Sequence, residues 1–187
     1  MTSLRVISGS LKGRPLKTSA SSATRPTTAL LRKAVFDTIQ PVIANANFLD
    51  LFAGSGAMGI EAISRGARHS TFIESHKEAL KCLQANLKTL HLERVSTLLS
   101  YDFHIALKKL TKEEEIFDLV YVDPPYEKKE IYQEILTFFD TGALLHSGSL
   151  LFLEEPSPSS LSHISLHRLK LQESRRYGKS LLHRYRF

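Results

Sequence analysis

Apolar residues along the chain fall into two kinds of run, and their alternation predicts the architecture. Asn47–Phe52, Ser70–Glu74, Val95–Leu99, Phe117–Val122 and Leu150–Glu154 are short apolar segments enriched in β-branched or aromatic residues. Such runs suit strands buried on both faces of a parallel sheet. Between them the period changes: within His76–Leu90, Leu80, Leu83, Leu87 and Leu90 recur three and four apart, drawing one apolar stripe down a helix. Strand and helix alternate from about residue 47 to residue 154. The pattern βαβαβαβ predicts a doubly wound α/β sheet with its ligand crevice at the carboxyl ends of the strands.

The two ends of the chain read differently. Leu4–Ser8 and Arg14–Thr18 are expected to pair across Gly9–Gly13 as a hairpin. Thr27 or Thr28 then caps a helix that runs to about Ile39 and is stopped by Pro41. Ile164–Leu171 and Ser180–Phe187, separated by the Tyr177-Gly178 turn signal, are expected to close the sheet as an antiparallel pair. A length of 187 residues at 42% hydrophobic content suits one domain, with a basic extension over 1–45 and a core over 46–187, and is short for two independent cores.

Charge sharpens this division. Residues 1–36 hold seven Lys and Arg and no acid, and residues 163–187 hold seven against Glu173 alone, so the ends are +7 and +6 around a middle of −7. Basic arms on an acidic body predict that the ends meet a polyanion. The single cysteine, Cys82, makes no internal disulfide and no cysteine zinc site, which points to a reducing, cytoplasmic setting. The start of the chain leads into no apolar signal region and no run is long enough to span a bilayer. Eight histidines are scattered and none forms an HExxH pair, so no metal is expected. Nothing in the pattern demands a partner chain, and a monomer is expected. Gly178-Lys179-Ser180 resembles the end of a phosphate loop, but Glu173 stands where that loop needs its first glycine.

The chemistry concentrates after the first and fourth strands. Gly54, Gly56 and Gly59 in Asp50-Leu51-Phe52-Ala53-Gly54-Ser55-Gly56-Ala57-Met58-Gly59 satisfy GxGxxG, where missing side chains let the backbone turn tightly and approach a ligand. That loop suits a dinucleotide pyrophosphate as readily as the amino-acid portion of S-adenosylmethionine. Glu74 ends the second strand about twenty residues on, where an acid accepts hydrogen bonds from ribose hydroxyls. Asp102 follows the third strand and reads equally as a contact to an adenine amino group or as the cap of a helix over Phe103–Leu110.

Asp123-Pro124-Pro125-Tyr126 separates the two cofactors. Consecutive prolines have no N–H and fixed φ, so they present carbonyl acceptors from a stiff segment. The lone pair of an exocyclic amine is delocalised into its base. A carboxylate and a carbonyl that accept both its N–H groups orient the nitrogen and stabilise charge that develops as a methyl group arrives. Tyr126 offers a stacking face worth about 1–3 kcal/mol. Hydride transfer has no use for this tetrapeptide.

Asp50–Ala67 (DLFAGSGAMGIEAISRGA), Glu74, the run Phe117–Tyr126 and Arg25-Pro26-Thr27 together resemble the bacterial family that methylates the guanine N2 amine of one nucleotide in 16S ribosomal RNA. The likeness extends from Arg5-Val6-Ile7-Ser8-Gly9 to the last strand. The glycine loop and tetrapeptide are shared with other amino-methyltransferases, DNA adenine enzymes included; the Arg-Pro-Thr segment and compact size favour this family. The resemblance implies a Rossmann-like fold, with a mostly parallel seven-stranded sheet, an antiparallel carboxyl-terminal strand and an amino-terminal hairpin and helix. It implies S-adenosylmethionine as cofactor, with Asp50, Gly54 and Gly56 along its methionine part, Glu74 at the ribose and Asp102 at the adenine, and with Phe52, Ser75 and Phe103 as further cofactor-binding residues. Asp123, Pro124, Pro125 and Tyr126 become the catalytic segment, and Arg5, Lys12, Arg14, Arg25 and Arg32 the contacts to 16S ribosomal RNA.

Overall fold

The computed structural model describes residues 4–18, 29–125, 130–159, 161 and 164–187. Helix α1 (Ala29–Ile39) precedes β1 (Asn47–Leu51), α2 (Ala57–Ser64), β2 (His69–Ile73), α3 (Lys77–Leu90), β3 (Ser96–Leu99), α4 (Phe103–Lys112), β4 (Phe117–Val122), α5 (Glu130–Thr141), β5 (Leu145–Pro156), β6 (Lys170–Tyr177) and β7 (Ser180–Arg186). The strands form one sheet in the order β3-β2-β1-β4-β5-β7-β6. β1 to β5 run parallel, and β7 pairs antiparallel with both β5 and β6. The order reverses between β1 and β4, which places a crevice at their carboxyl ends. No helix among the described residues is long and apolar enough to cross a membrane.

Two apolar layers sandwich the sheet, as the continuous apolar runs require. Leu49, Leu51, Val120, Val122, Leu151 and Leu153 pack on one side with α4 and α5. Phe48, Leu119, Tyr121 and Phe152 alternate to the other side, against Leu31, Val35, Phe36 and Ile39 of α1. The α3 stripe closes over β2, with Leu83, Leu87 and Leu90 meeting Phe72 and Ile60.

The amino-terminal hairpin forms, with Val6 N–H donating to Arg14 C=O (3.0 Å), Gly13 N–H to Val6 C=O (2.9 Å) and Leu16 N–H to Leu4 C=O (2.8 Å). Val6 and Leu16 are buried with the α3 stripe. Polar groups complete the seat. The Glu61 carboxylate, on α2, accepts Ile7 N–H at 2.7 Å and Ser8 N–H at 2.9 Å, and Leu11 N–H donates to Ser64 Oγ at 3.0 Å.

The carboxyl-terminal pair differs from expectation. Its first arm runs Lys170–Tyr177, not Ile164–Leu171. β6 is the sheet edge and almost wholly exposed, so it carries no apolar run to mark it. The segment before it is held instead by Asp140, whose carboxylate accepts the N–H groups of His167, Arg168 and Leu169. β5 begins at Leu145, five residues earlier than its apolar run, and β3 loses Val95 to a 3-10 turn. The expected cap at Thr27 or Thr28 lies outside the described residues.

The hairpin sits over α2 and α3, whereas β6 stands four strand positions beyond β1, about 19 Å at sheet spacing. The two basic ends therefore occupy opposite flanks of the sheet. At Gly9, φ is +81° and a Cβ would lie 1.8 Å from the Ser64 carbonyl oxygen. Gly9→Ala is expected to cost at least about 1–3 kcal/mol and to speed amide exchange at Ile7, Ser8 and Leu11. Unchanged exchange there would show that the hairpin is not seated through this contact.

Candidate active site

Four strand ends build the rim of the crevice. Leu51 is in register with Ile73 and Val122, and Ile73 with Leu99, so Phe52, Glu74, Asp123 and Ser100 follow in one row. Backbone bonds hold the row level: Asp123 N–H to Leu51 C=O (3.4 Å), Ala53 N–H to Ile73 C=O (2.9 Å) and Glu74 N–H to Leu99 C=O (3.2 Å). The glycine loop turns out of this row through positive φ at Phe52 (69°), Gly54 (57°) and Gly56 (82°). Among the described residues no atom lies within 4 Å of where a Cβ on Gly54 would stand, so none of the described core packs against the loop there.

Two carboxylates brace the loop. Glu74 accepts Gly54 N–H and His76 N–H, each at 2.7 Å. Asp50, 2% exposed, accepts Gly59 N–H at 2.9 Å. Burial pushes the Asp50 carboxyl up to about 7; the Gly59 bond opposes the shift and the charge of Glu74 adds to it. A cation placed beside Asp50 would favour its charged form.

Asp102 caps α4, accepting His104 N–H at 3.0 Å, and its carboxylate also meets His104 Nδ1 at 2.6 Å. His104 Nε2 reaches Glu134 at 2.7 Å, and the bond to Asp102, ahead of that to Glu134, raises the imidazole above its ordinary value. The Phe52 and Phe103 rings lie 5.3 Å apart at 53°, so the residue after β1 packs against the first turn of α4. Ser75 is exposed. Asp123 is half-buried, Pro124 buried and Pro125 exposed. Tyr126 lies outside the described residues, as does Arg25.

Of the expected polyanion contacts, Arg5, Lys12 and Arg14 are exposed on the hairpin. Arg32 corrects the expectation. It is 2% exposed and donates from Nη2 to Arg5 C=O at 2.7 Å, and its Nε and Nη1 have no hydrogen-bond partner among the described residues. Desolvation pulls its pKa down, against the opposing charge of Glu61. α1 turns this side chain inward with Leu31, Val35 and Phe36, so it offers no charge at the surface.

Sequence reasoning overlooked the buried polar groups behind the crevice: Glu61, Ser64 and Asn86, and the Tyr121 hydroxyl that donates to Glu154 at 2.7 Å. A signal existed for Asn86, which stands three residues after Leu83 and beside Leu87, on the apolar stripe of α3. A polar residue inside such a stripe is buried and must be hydrogen-bonded.

A parallel sheet with a reversed seventh strand, a glycine loop after β1, an acid after β2 and Asp-Pro-Pro after β4 together define a Rossmann-like methyltransferase. Residues 4–186 match the family model described as Conserved hypothetical protein 95. The chain is 39% identical over 151 residues to YlbH of Bacillus subtilis, which carries an rRNA methyltransferase name, covering 81% of this chain and 82% of that one. To ribosomal RNA small subunit methyltransferase D of Escherichia coli it is 33% identical over 172 residues, 90% of this chain and 84% of that one. A hypothetical protein of Thermus thermophilus superposes with a TM-score of 0.83 at 29% identity, covering 98% of this chain and 99% of that one. The chain belongs to this family, that of ribosomal RNA small subunit methyltransferase D.

The buried Asp50 yields a stability prediction. Its folded pKa, about 7, lies above an unfolded value near about 3.9. Between these values the folded state keeps a proton that the unfolded state has lost, so the penalty of this group grows as pH rises from 4 and is complete above 7. Asp50→Asn, which still accepts from Gly59, is expected to raise the melting temperature at pH 8 but not at pH 4. An equal effect at both values would exclude a buried charge as the cause.

Proposed function

We propose that this chain transfers the methyl group of S-adenosylmethionine to the exocyclic N2 amine of a guanine in 16S ribosomal RNA. The observation that carries the reading is the adjacency of Asp123-Pro124-Pro125 to the glycine loop, joined by the Asp123 N–H to Leu51 C=O bond. The crevice fits the cofactor: a cradle in front of Gly54 that is open among the described residues and two carboxylates, Asp50 and Glu74, facing a loop of backbone donors. When bound, S-adenosylmethionine supplies an electrophilic methyl group on a sulfonium sulfur.

Asp50, Phe52, Gly54 and Gly56 lie along its methionine part, Glu74 and Ser75 bind the ribose hydroxyls, and Asp102 with Phe103 holds the adenine. Asp123 and the Pro124 carbonyl accept the two N–H groups of the target amine, which turns the nitrogen lone pair toward the methyl group and stabilises positive charge on nitrogen. Pro125 stiffens the segment, since its φ is fixed, and Tyr126 stacks on the base. Arg5, Lys12, Arg14 and Arg25 bind phosphates, with Arg32 excluded by its burial. The protein works as a cytoplasmic monomer in which the extension over 1–45 and the core over 46–187 act as one catalytic unit, on RNA within a partly or fully assembled small subunit.

Labelled methyl transfer to small subunits lacking the modification, followed by nucleoside analysis, tests the reading. Label is expected in N2-methylguanosine and is expected to fall on the order of a hundredfold or more with Asp123→Ala. Label in adenine of DNA, or in no nucleoside at all, would overturn it. A second expectation concerns protons. An ammonium group near Asp50 favours its carboxylate, so S-adenosylhomocysteine binding at pH 6.5 releases protons that calorimetry in buffers of different ionisation enthalpy detects. Asp50→Asn should abolish that release while leaving measurable binding; release of the same size from the variant would assign it to another group.

A further inference from the structure

We infer that Asn86 is a positioning residue that couples the hairpin to the glycine loop, so that RNA on the hairpin and cofactor in the loop strengthen each other's binding. The inference rests on the reading above for what each element binds. Asn86 is 3% exposed on α3, in a stripe otherwise filled by leucines. An amide there is costly unless its polar atoms are matched, and both are. Its Oδ1 accepts Lys17 N–H at 2.8 Å, while its Nδ2 donates to Lys17 C=O at 3.0 Å and to Ser55 C=O at 2.9 Å. One donor pair and one acceptor on a single planar group are needed for this pattern, which Asp, Leu or Ser cannot supply.

The two ends of this bridge matter for different reasons. Lys17 lies on the returning arm of the hairpin that also carries Arg14, and the bridge fixes its backbone on both sides. Ser55 is 8% exposed and stands between Gly54 and Gly56, two residues with positive φ and no side chain to hold the turn. Glu61 and Ser64 also bind the hairpin, but further along α2, away from the loop. Among these anchors only Asn86 touches the residue between the glycines. A hairpin held in place by bound RNA steadies Ser55 through one rigid amide, and an ordered loop steadies the hairpin in return, as linkage requires.

Equilibrium binding of labelled S-adenosylhomocysteine, with and without saturating unmodified small subunits, tests the coupling. In wild type the subunits are expected to tighten analogue binding about five- to tenfold. In Asn86→Ala that ratio is expected to approach one. Lys17→Ala keeps both backbone bonds, so it should weaken subunit binding while preserving the ratio. A wild-type ratio of one, or an unaltered ratio in Asn86→Ala, overturns the inference. Should Asn86→Ala not fold, Lys17→Pro, which removes the N–H that Asn86 accepts, is expected to lower the ratio, and an undiminished ratio there is equally fatal. Absence of analogue binding to every form would count against the proposed function itself, whereas binding with a ratio of one counts only against the coupling.

Discussion

Helix α2 rests on the Phe72 ring of β2 so closely that no side chain fits at Gly59. A Cβ on Gly59 would stand 2.2 Å from the Phe72 ring, and one on Gly56 would stand 2.4 Å from Leu83. This approach brings the Gly59 N–H within 2.9 Å of the Asp50 carboxylate and fixes the amino-terminus of α2 at the mouth of the crevice. The chain must then turn from β1 into α2 within Phe52–Gly56, which forces positive φ at Phe52, Gly54 and Gly56. Strain at Phe52, a residue ill suited to the left-handed region, follows from the same geometry. The GxGxxG spacing is therefore a packing requirement before it is a ligand motif: two glycines make the turn and the third makes the contact.

Appended pieces are fastened to this core by buried polar groups. Glu61 and Asn86 take up the backbone of the hairpin, and Asp140 takes up three N–H groups ahead of β6. Glu155, fully buried, meets His183 of β7 at 2.7 Å, and His183 Nδ1 in turn meets Ser174 of β6 at 2.7 Å. Each such group is satisfied only in one arrangement, and removal of one partner strands the other without water. Apolar contact alone would let a short hairpin slide; a carboxylate matched to two particular N–H groups sets its register.

Legibility in the sequence followed burial. β1 and β4 are covered on both faces, so Asn47–Leu51 and Phe117–Val122 stood out as continuous apolar runs almost to the residue. α3 was legible because one face is dry and the other wet. β6 was not, because an edge strand exposed on most of its length has no pattern to display. The glycine loop and Asp-Pro-Pro were visible because residues with unusual backbone properties announce themselves locally. Arg32 misled for the opposite reason: its charge suggests a surface, and only the packing of α1 shows it turned inward. Glu61 and Asn86 owe their importance to partners more than fifty residues away, which no local window contains.

Charge and shape combine at the crevice. Its rim carries Glu74, Asp102 and Asp123, with Asp50 and Glu154 buried just behind, while the exposed cations of the hairpin and of β6 lie on opposite flanks. An acidic rim repels phosphate but not a neutral base, and it favours a cationic cofactor. Arg175 and Arg184 are partly matched by Glu173 at 2.5 and 3.7 Å, whereas the hairpin carries four exposed basic side chains, Arg5, Lys12, Arg14 and Lys17, and no acid. On the proposed reading, phosphates settle on the flanks and are kept from the centre, so only a nucleotide able to turn its base out of the strand reaches Asp123. On that reading, the charge distribution that draws RNA to the protein also sorts what enters the crevice.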